Sequence, residues 1–238
     1  MLNFSKISSL ADYLNTIDAY QKKQAAAEIK YELIFRGQNG DWPLIPGIAR
    51  MADSEDLPQI EQSMFNDFKR QAVRYLSFRP DNDWEWLTIG QHYGLPTRLL
   101  DWSTNPLTSL WFAVNSGNTD ENGSGVVWIY QSDESNLVKN TDTSPFEISV
   151  PKVYLPQHNN TRIYAQSGIF TIHNYLEQKM KFVPLQEDTR ENSKLAKITI
   201  PGSCFKSISK ELERVDIHSA KLFPDLDGLT KRIRQLYS

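Results

Sequence analysis

Residues Gln91–Val114, QHYGLPTRLLDWSTNPLTSLWFAV, decide how this chain is read. Gln91, His92 and Tyr93 close one helix, because Gly94 and Pro96 cannot continue it, and Thr97–Trp102 then runs as a short strand. A second helix follows at once. Asn105 is a favourable N-cap, Pro106 suits the first helical position, and Leu107, Leu110, Trp111 and Val114 recur at helical spacing. The polar residues His92, Thr97, Arg98, Asp101 and Ser103 therefore gather at two tight connections, where rigid elements hold side chains for binding or chemistry.

The rest of the chain bounds what that cluster can belong to. Its 238 residues, 39% of them hydrophobic, suffice for one large domain, and no Pro/Gly/Ser-rich linker divides them. A net charge of −3 argues against a protein held on nucleic acid by phosphate contacts alone, although a local basic groove is compatible with it. The single Cys204 excludes an internal disulfide and cysteine-rich zinc sites, and His92, His158, His173 and His218 lack metal-ligand spacing, so no metal is expected. No run is long and apolar enough to span a bilayer, and the start of the chain lacks a signal-peptide pattern. The expectation is a cytoplasmic protein without a membrane partner.

Outward from the central segment, Leu10, Tyr13, Leu14 and Ile17 mark an amphipathic helix capped by Ser8 or Ser9, and residues 1–30 read as a helical segment packed on a domain spanning 31–238. Tyr31–Phe35 reads as a strand with Arg36 at its end. The punctuated PLIPGIAR is irregular, Ile60–Leu76 carries a long helix, and Asp81 or Asp83 caps the next one. Val126–Tyr130, Arg162–His173 with a kink at Gln166-Ser167-Gly168, and Leu195–Ile200 read as strands. Ile208–Val215 and Leu229–Leu236 read as helices, the latter after a PDLDG turn. Helices between the early strands and loops between the late ones predict an α+β fold, a single domain with a mixed, mostly antiparallel sheet flanked by helices.

Each candidate residue has a structural reading beside its functional one. Arg36 suits an anion, with Gly37 permitting a ligand to approach the chain's backbone closely, and it equally suits an ion pair with Asp101 or Asp225. His92 is placed either to exchange a proton or to satisfy a backbone carbonyl. Arg98 and Asp101, three apart on a strand, point to opposite faces, so at least one of them is structural. Trp102, Trp111 and Trp128 read as core.

Phe35-Arg36-Gly37-Gln38, QHYGLPTRLLDWS, the apolar helix after it and the C-terminal PDLDG together resemble the FRG domain family of bacteria and their phages, over about Tyr31–Tyr237. The order of elements resembles, less specifically, the ADP-ribosyltransferase fold. That second resemblance implies a cleft binding NAD or a related nucleotide. Arg36, His92 and Gln166 would take catalytic roles there, with Gln166 where the superfamily carries Glu, and Gln38, Gln91, Thr97, Arg98, Asp101 and Ser103 would contact the ligand. It implies a toxin or phage-defence factor of transferase or NAD-hydrolase type. The competing expectation is a non-catalytic module that recognises nucleic acid or a phage protein. Gln166 separates the two, since an amide can hydrogen-bond a ribose hydroxyl but cannot stabilise developing positive charge as a carboxylate does.

Overall fold

The computed structural model describes residues 2–4, 7–24, 32–51, 56–115, 123–156 and 165–237. Nine strands are described: β1 Leu2–Phe4, β2 Glu32–Gln38, β3 Leu99–Ser103, β4 Ser124–Ser132, β5 Lys152–Tyr154, β6 Gly168–Ile172, β7 Tyr175–Leu176, β8 Lys181–Phe182 and β9 Leu195–Pro201. The helices are α1 Leu10–Gln24, α2 Leu57–Ala72, α3 Asp83–His92, α4 Pro106–Asn115, α5 Phe205–Arg214, α6 Ser219–Leu222 and α7 Leu226–Leu236. Seven strands form one sheet in the order β1-β9-β4-β2-β3-β6-β5, and β7 and β8 pair separately. Within the large sheet β1 and β9 are parallel and the other neighbours antiparallel. The domain is α+β.

Alternation along the strands assigns the two faces. Leu33 and Phe35 on β2, with Val127 and Ile129 on β4 and Ile198 on β9, pack against Tyr13 and Ile17 of α1, Leu110 and Trp111 of α4, and Ile208 and Leu212 of α5. By register Leu99 and Phe170 share that face, and there Phe65 of α2 with Trp84 and Leu87 of α3 covers them. Ile34, Leu100, Trp102, Trp128 and Tyr130 point the other way, onto Leu44, Leu185 and Leu195. The N-terminal residues belong to this core as well, since β1 extends the sheet and the fully buried Tyr13 donates its hydroxyl to the Pro106 carbonyl at 2.9 Å.

Two glycines set how closely α4 approaches the sheet. A Cβ at Gly37 would lie 1.7 Å from the Ser109 carbonyl oxygen, and one at Gly125 would lie 2.4 Å from that of Ala113. Ser109 and Ala113 are one turn apart, so the helix backbone rests directly on β2 and β4. The close approach expected at Gly37 is therefore made by a helix of this chain, not by a ligand.

Local signals account for the ends of the elements around the site. Gly94 has φ +87°, and the Leu95 and Gly94 amides donate to the Gly90 and Gln91 carbonyls at 2.9 and 3.1 Å, the paired bonds of a Schellman stop. The Asn105 side chain accepts from the Leu107 amide at 2.9 Å and caps α4. At α3 the cap is Asn82, which accepts from Glu85 N at 3.0 Å, and neither Asp81 nor Asp83 fills that place. Strand β6 begins only at Gly168, after Ser167 turns the chain with φ +49°. Of the expected strand Arg162–His173, residues 162–164 lie outside the described residues, as does His158.

Candidate functional site

The sheet opens between β2 and β3. These neighbours share one register pair, Phe35 with Ser103, and beyond it β2 continues with β4 alone while β3 continues with β6. A cleft of about 720 Å³ lies over this split, within the size range of small-molecule sites. Its floor is Phe35–Gln38 of β2 and Asp101–Ser103 of β3, and its walls are Thr108, Ser109 and Phe112 of α4 and Gln91 and His92 at the end of α3. The loop after β2 supplies Asn39, Trp42, Pro43, Ile45 and Arg50, and the turn before β6 supplies Gln166.

Arg36 sits at the split. Its Nη1 donates to the Asp101 carbonyl at 2.7 Å and lies 3.8 Å from the Asp101 carboxylate, which identifies Asp101, not Asp225, as its partner. Asp225 instead caps α7, accepting from Gly228 N at 2.8 Å. The Arg36 side chain is 16% exposed, and its buried Nε has no hydrogen-bond partner. Burial draws the guanidinium pKa below the usual arginine value, Asp101 opposes that shift, and the nearby Arg50 adds to it. The buried Thr108 hydroxyl in the α4 wall is likewise without a partner. Two of the four orphaned buried side-chain polar atoms among the described residues thus belong to residues that line one cleft, and leaving such atoms unpaired costs about 1 to 3 kcal/mol each.

A relay of side chains fixes the polar wall. Thr97, fully buried, donates its hydroxyl to Gln91 Oε1 at 2.6 Å, and Gln91 Nε2 donates to Asp101 Oδ2 at 3.0 Å. Thr97 therefore orients Gln91, which in turn orients the carboxylate, and Thr97 itself does not line the cleft. Arg98 is not there either. It is buried inside the domain, where Nε and Nη2 grip Glu61 of α2 at 3.1 and 2.6 Å and its Cζ lies 4.8 Å from the centre of the Phe146 ring. Of the residues that the resemblance places at the ligand, these two are therefore buried away from the cleft lining. The sequence carried one overlooked signal for that pair: Glu61 shares its helical stripe with the buried Leu57 and Phe65, one turn away on each side.

The remaining candidates line the cleft with their own internal partners. Gln38 Oε1 accepts from Trp128 Nε1 at 3.0 Å. Ser103 donates to the Gln166 carbonyl at 2.6 Å and accepts from Asn105 N at 3.0 Å, which ties β3 to the turn before β6. The Gln166 side chain reaches α6, where Nε2 donates to the Leu222 carbonyl at 3.1 Å. A glutamate there would set its carboxylate against that carbonyl. Among the lining residues Asp101 is the sole carboxylate. His92 lines the cleft with its ring edge-to-face against Tyr93. Trp42, Arg50, Thr108 and Phe112 also line it, although nothing in their local sequence pattern singles them out.

Residues 31–122 match the family model of the FRG domain. That match places an FRG domain at residues 31–122 of the chain. The matched FRG segment holds β2, β3, the end of α3 and α4, hence Arg36, the Gln91–Asp101 relay and both long walls of the cleft, whereas Gln166 lies beyond it. No curated protein and no solved structure matches the chain. Among the described residues no helix is long and apolar enough to cross a membrane, and no group of three or more His, Cys, Asp or Glu is placed to hold a metal ion.

Proposed function

We propose that the cleft of this FRG domain protein binds NAD or a related nucleotide, with Arg36 engaging an anionic group. The observation that carries this reading is the Arg36 guanidinium: it is held at the sheet opening by the Asp101 carbonyl, and its side chain lines the cleft while remaining 16% exposed. Arg50 adds a second positive charge, and Trp42 and Phe112 add aromatic surface, so charge and apolar area stand together as a nucleotide needs them. On this reading Gln38, Gln91, His92, Asp101 and Ser103 are the residues in reach of the ligand. In a bacterial cell such a site suits a toxin or phage-defence factor that senses or consumes NAD.

Whether the site also breaks the nicotinamide bond turns on its carboxylate. Gln166 is bound to Leu222 and lacks the charge to stabilise a developing cation, while Asp101 has the charge and faces the cleft. The tethered Gln166 amide favours the second reading, a recognition module without catalysis whose partner is a nucleotide, a nucleic acid or a phage protein. Calorimetric titration with NAD tests the first reading. Wild type binds, Arg50→Ala binds more weakly, and Arg36→Ala binds roughly ten- to hundredfold more weakly because a charge-assisted hydrogen bond is lost. Nicotinamide release by the wild type, abolished in Asp101→Asn, marks an enzyme; tight binding without release marks a module. A folded wild type with no affinity for NAD refutes the proposal.

A further inference from the structure

Of the six tryptophans in the chain, Trp84, Trp86, Trp102, Trp111 and Trp128 are buried, whereas Trp42 is 61% exposed on the rim of the cleft. A single exposed aromatic is ordinary on a protein surface, so it is the place of Trp42 in the cleft lining that sets it apart. Trp42 is also built into place. Its ring lies on Gly40, where a Cβ would come within 2.5 Å of the indole Nε1, so the missing side chain of Gly40 is what lets the ring lie there. The loop is anchored on both sides of it. Asp41 pairs with Lys197 at 2.6 Å, Leu44 N donates to Gln186 at 2.9 Å, and Leu185 N donates to the Leu44 carbonyl at 3.0 Å. The same loop carries Arg50, whose Nη2 donates to the Ile45 carbonyl at 3.1 Å.

From this arrangement we infer that Trp42 is the stacking platform for the adenine ring of an adenine nucleotide whose phosphates lie toward Arg36 and Arg50. The inference rests on the nucleotide-binding reading of the cleft and names the half of the ligand that Trp42 recognises. Charge selects the ring. A cationic nicotinamide over Trp42 would gain a cation–π attraction but would share its loop with the repelling Arg50 guanidinium, whereas neutral adenine stacks on an indole face without that repulsion. Stacking of a base on an aromatic side chain is sequence-tolerant, so discrimination among purines is weak and loss of the base is costly.

The test compares ADP-ribose with nicotinamide mononucleotide by calorimetry on wild type, Trp42→Ala and Trp42→Phe. The exposed position of Trp42 keeps these variants folded. Trp42→Ala weakens ADP-ribose binding roughly ten- to hundredfold, Trp42→Phe restores most of it, and nicotinamide mononucleotide binding is the same in all three. Because the other tryptophans are buried, acrylamide quenching of tryptophan fluorescence reports chiefly on Trp42, and ADP-ribose reduces it. Unchanged ADP-ribose affinity in Trp42→Ala, with that affinity still sensitive to Arg36→Ala, overturns the platform and leaves the nucleotide site standing. A larger loss for nicotinamide mononucleotide than for ADP-ribose overturns the choice of ring. Absence of binding by NAD, ADP-ribose and nicotinamide mononucleotide to the wild type removes both readings together.

Discussion

Arg36 Nη1 donates to the main-chain carbonyl of Asp101 at 2.7 Å, across the opening where β2 and β3 no longer pair. A side chain thus contacts the backbone of β3 where the ladder with β2 has ended, and it keeps a cation at the floor of a cleft that a continuous sheet would close. The arrangement explains how one residue can be structural and still face a ligand. Its Nη1 is engaged with the protein, while the side chain remains 16% exposed in the cleft lining.

Gly37→Ala should disrupt the fold around the site, not merely the site itself. The new methyl would meet the Ser109 carbonyl and the Ala113 amide, both helix backbone, so α4 must lift from the sheet as a unit. Overpacking of this kind costs about 3 kcal/mol or more. Chemical denaturation measures the loss, and a midpoint equal to the wild type's would show that α4 moves freely on β2.

Trp111→Ala should destabilise the domain by about 3 to 5 kcal/mol, since it deletes a large buried aromatic. Trp111 is 3% exposed, packs edge-on against Phe112 and Phe223, and has the Lys231 ammonium over its ring. Thermal unfolding with an unchanged midpoint would mean that this face of α4 contributes little to the core.

Removing Glu61 should strand a buried charge. Glu61→Ala leaves Arg98 with only the Phe146 and Pro145 carbonyls and its two ring contacts, at a cost of about 3 to 5 kcal/mol. Replacing both residues, as in Glu61→Leu with Arg98→Met, should recover much of that loss, because no unpaired ion remains. A double variant less stable than Glu61→Ala would contradict this account.

His173 should make stability fall as the solution is acidified. Its ring is fully buried, and burial, reinforced by Arg36 and Arg98 against an opposing Asp188, pulls its pKa down to about 3. Thr171 Oγ1 accepts from Trp102 Nε1 at 2.9 Å and is hydrogen-bonded to His173 Nε2 at 3.0 Å, which holds the ring in place. The folded state therefore resists a proton that the unfolded chain accepts below about pH 6.5, and stability declines from there toward about pH 3. The slope attributable to this residue is about 1.4 kcal/mol per pH unit. Denaturant midpoints for wild type and His173→Gln between about pH 7.5 and pH 5 separate it from the carboxylates, which titrate lower. Parallel curves would show that His173 takes up a proton in the fold as readily as in the unfolded chain.

What the sequence determined by itself was local or periodic. The end of α3 at Gly94, the start of α4 at Asn105 and Pro106, the apolar stripes of the helices and the strand at Val126–Tyr130 follow from backbone chemistry and from spacing along a helix or strand, both of which are written within a few residues. The grouping of Arg36 with Gln91, His92, Asp101 and Ser103 was also legible, because polar residues at the ends of adjacent elements have few other places to go. Only the tertiary structure decided which of the clustered residues face solvent. Thr97 and Arg98 stand in the same short stretch as Asp101, yet one is sealed behind Gln91 and the other is taken by Glu61, a residue 37 positions away. Gly37 reads as a place for a ligand until α4 is laid on it, and Gln166 reads as free until Leu222 is brought beside it. Trp42 and Arg50 enter the site through a loop whose course is set by Lys197, Leu185 and Gln186. Such partners are distant in the chain, and long-range pairing depends on how the sheet is ordered and where it opens, which no local pattern encodes.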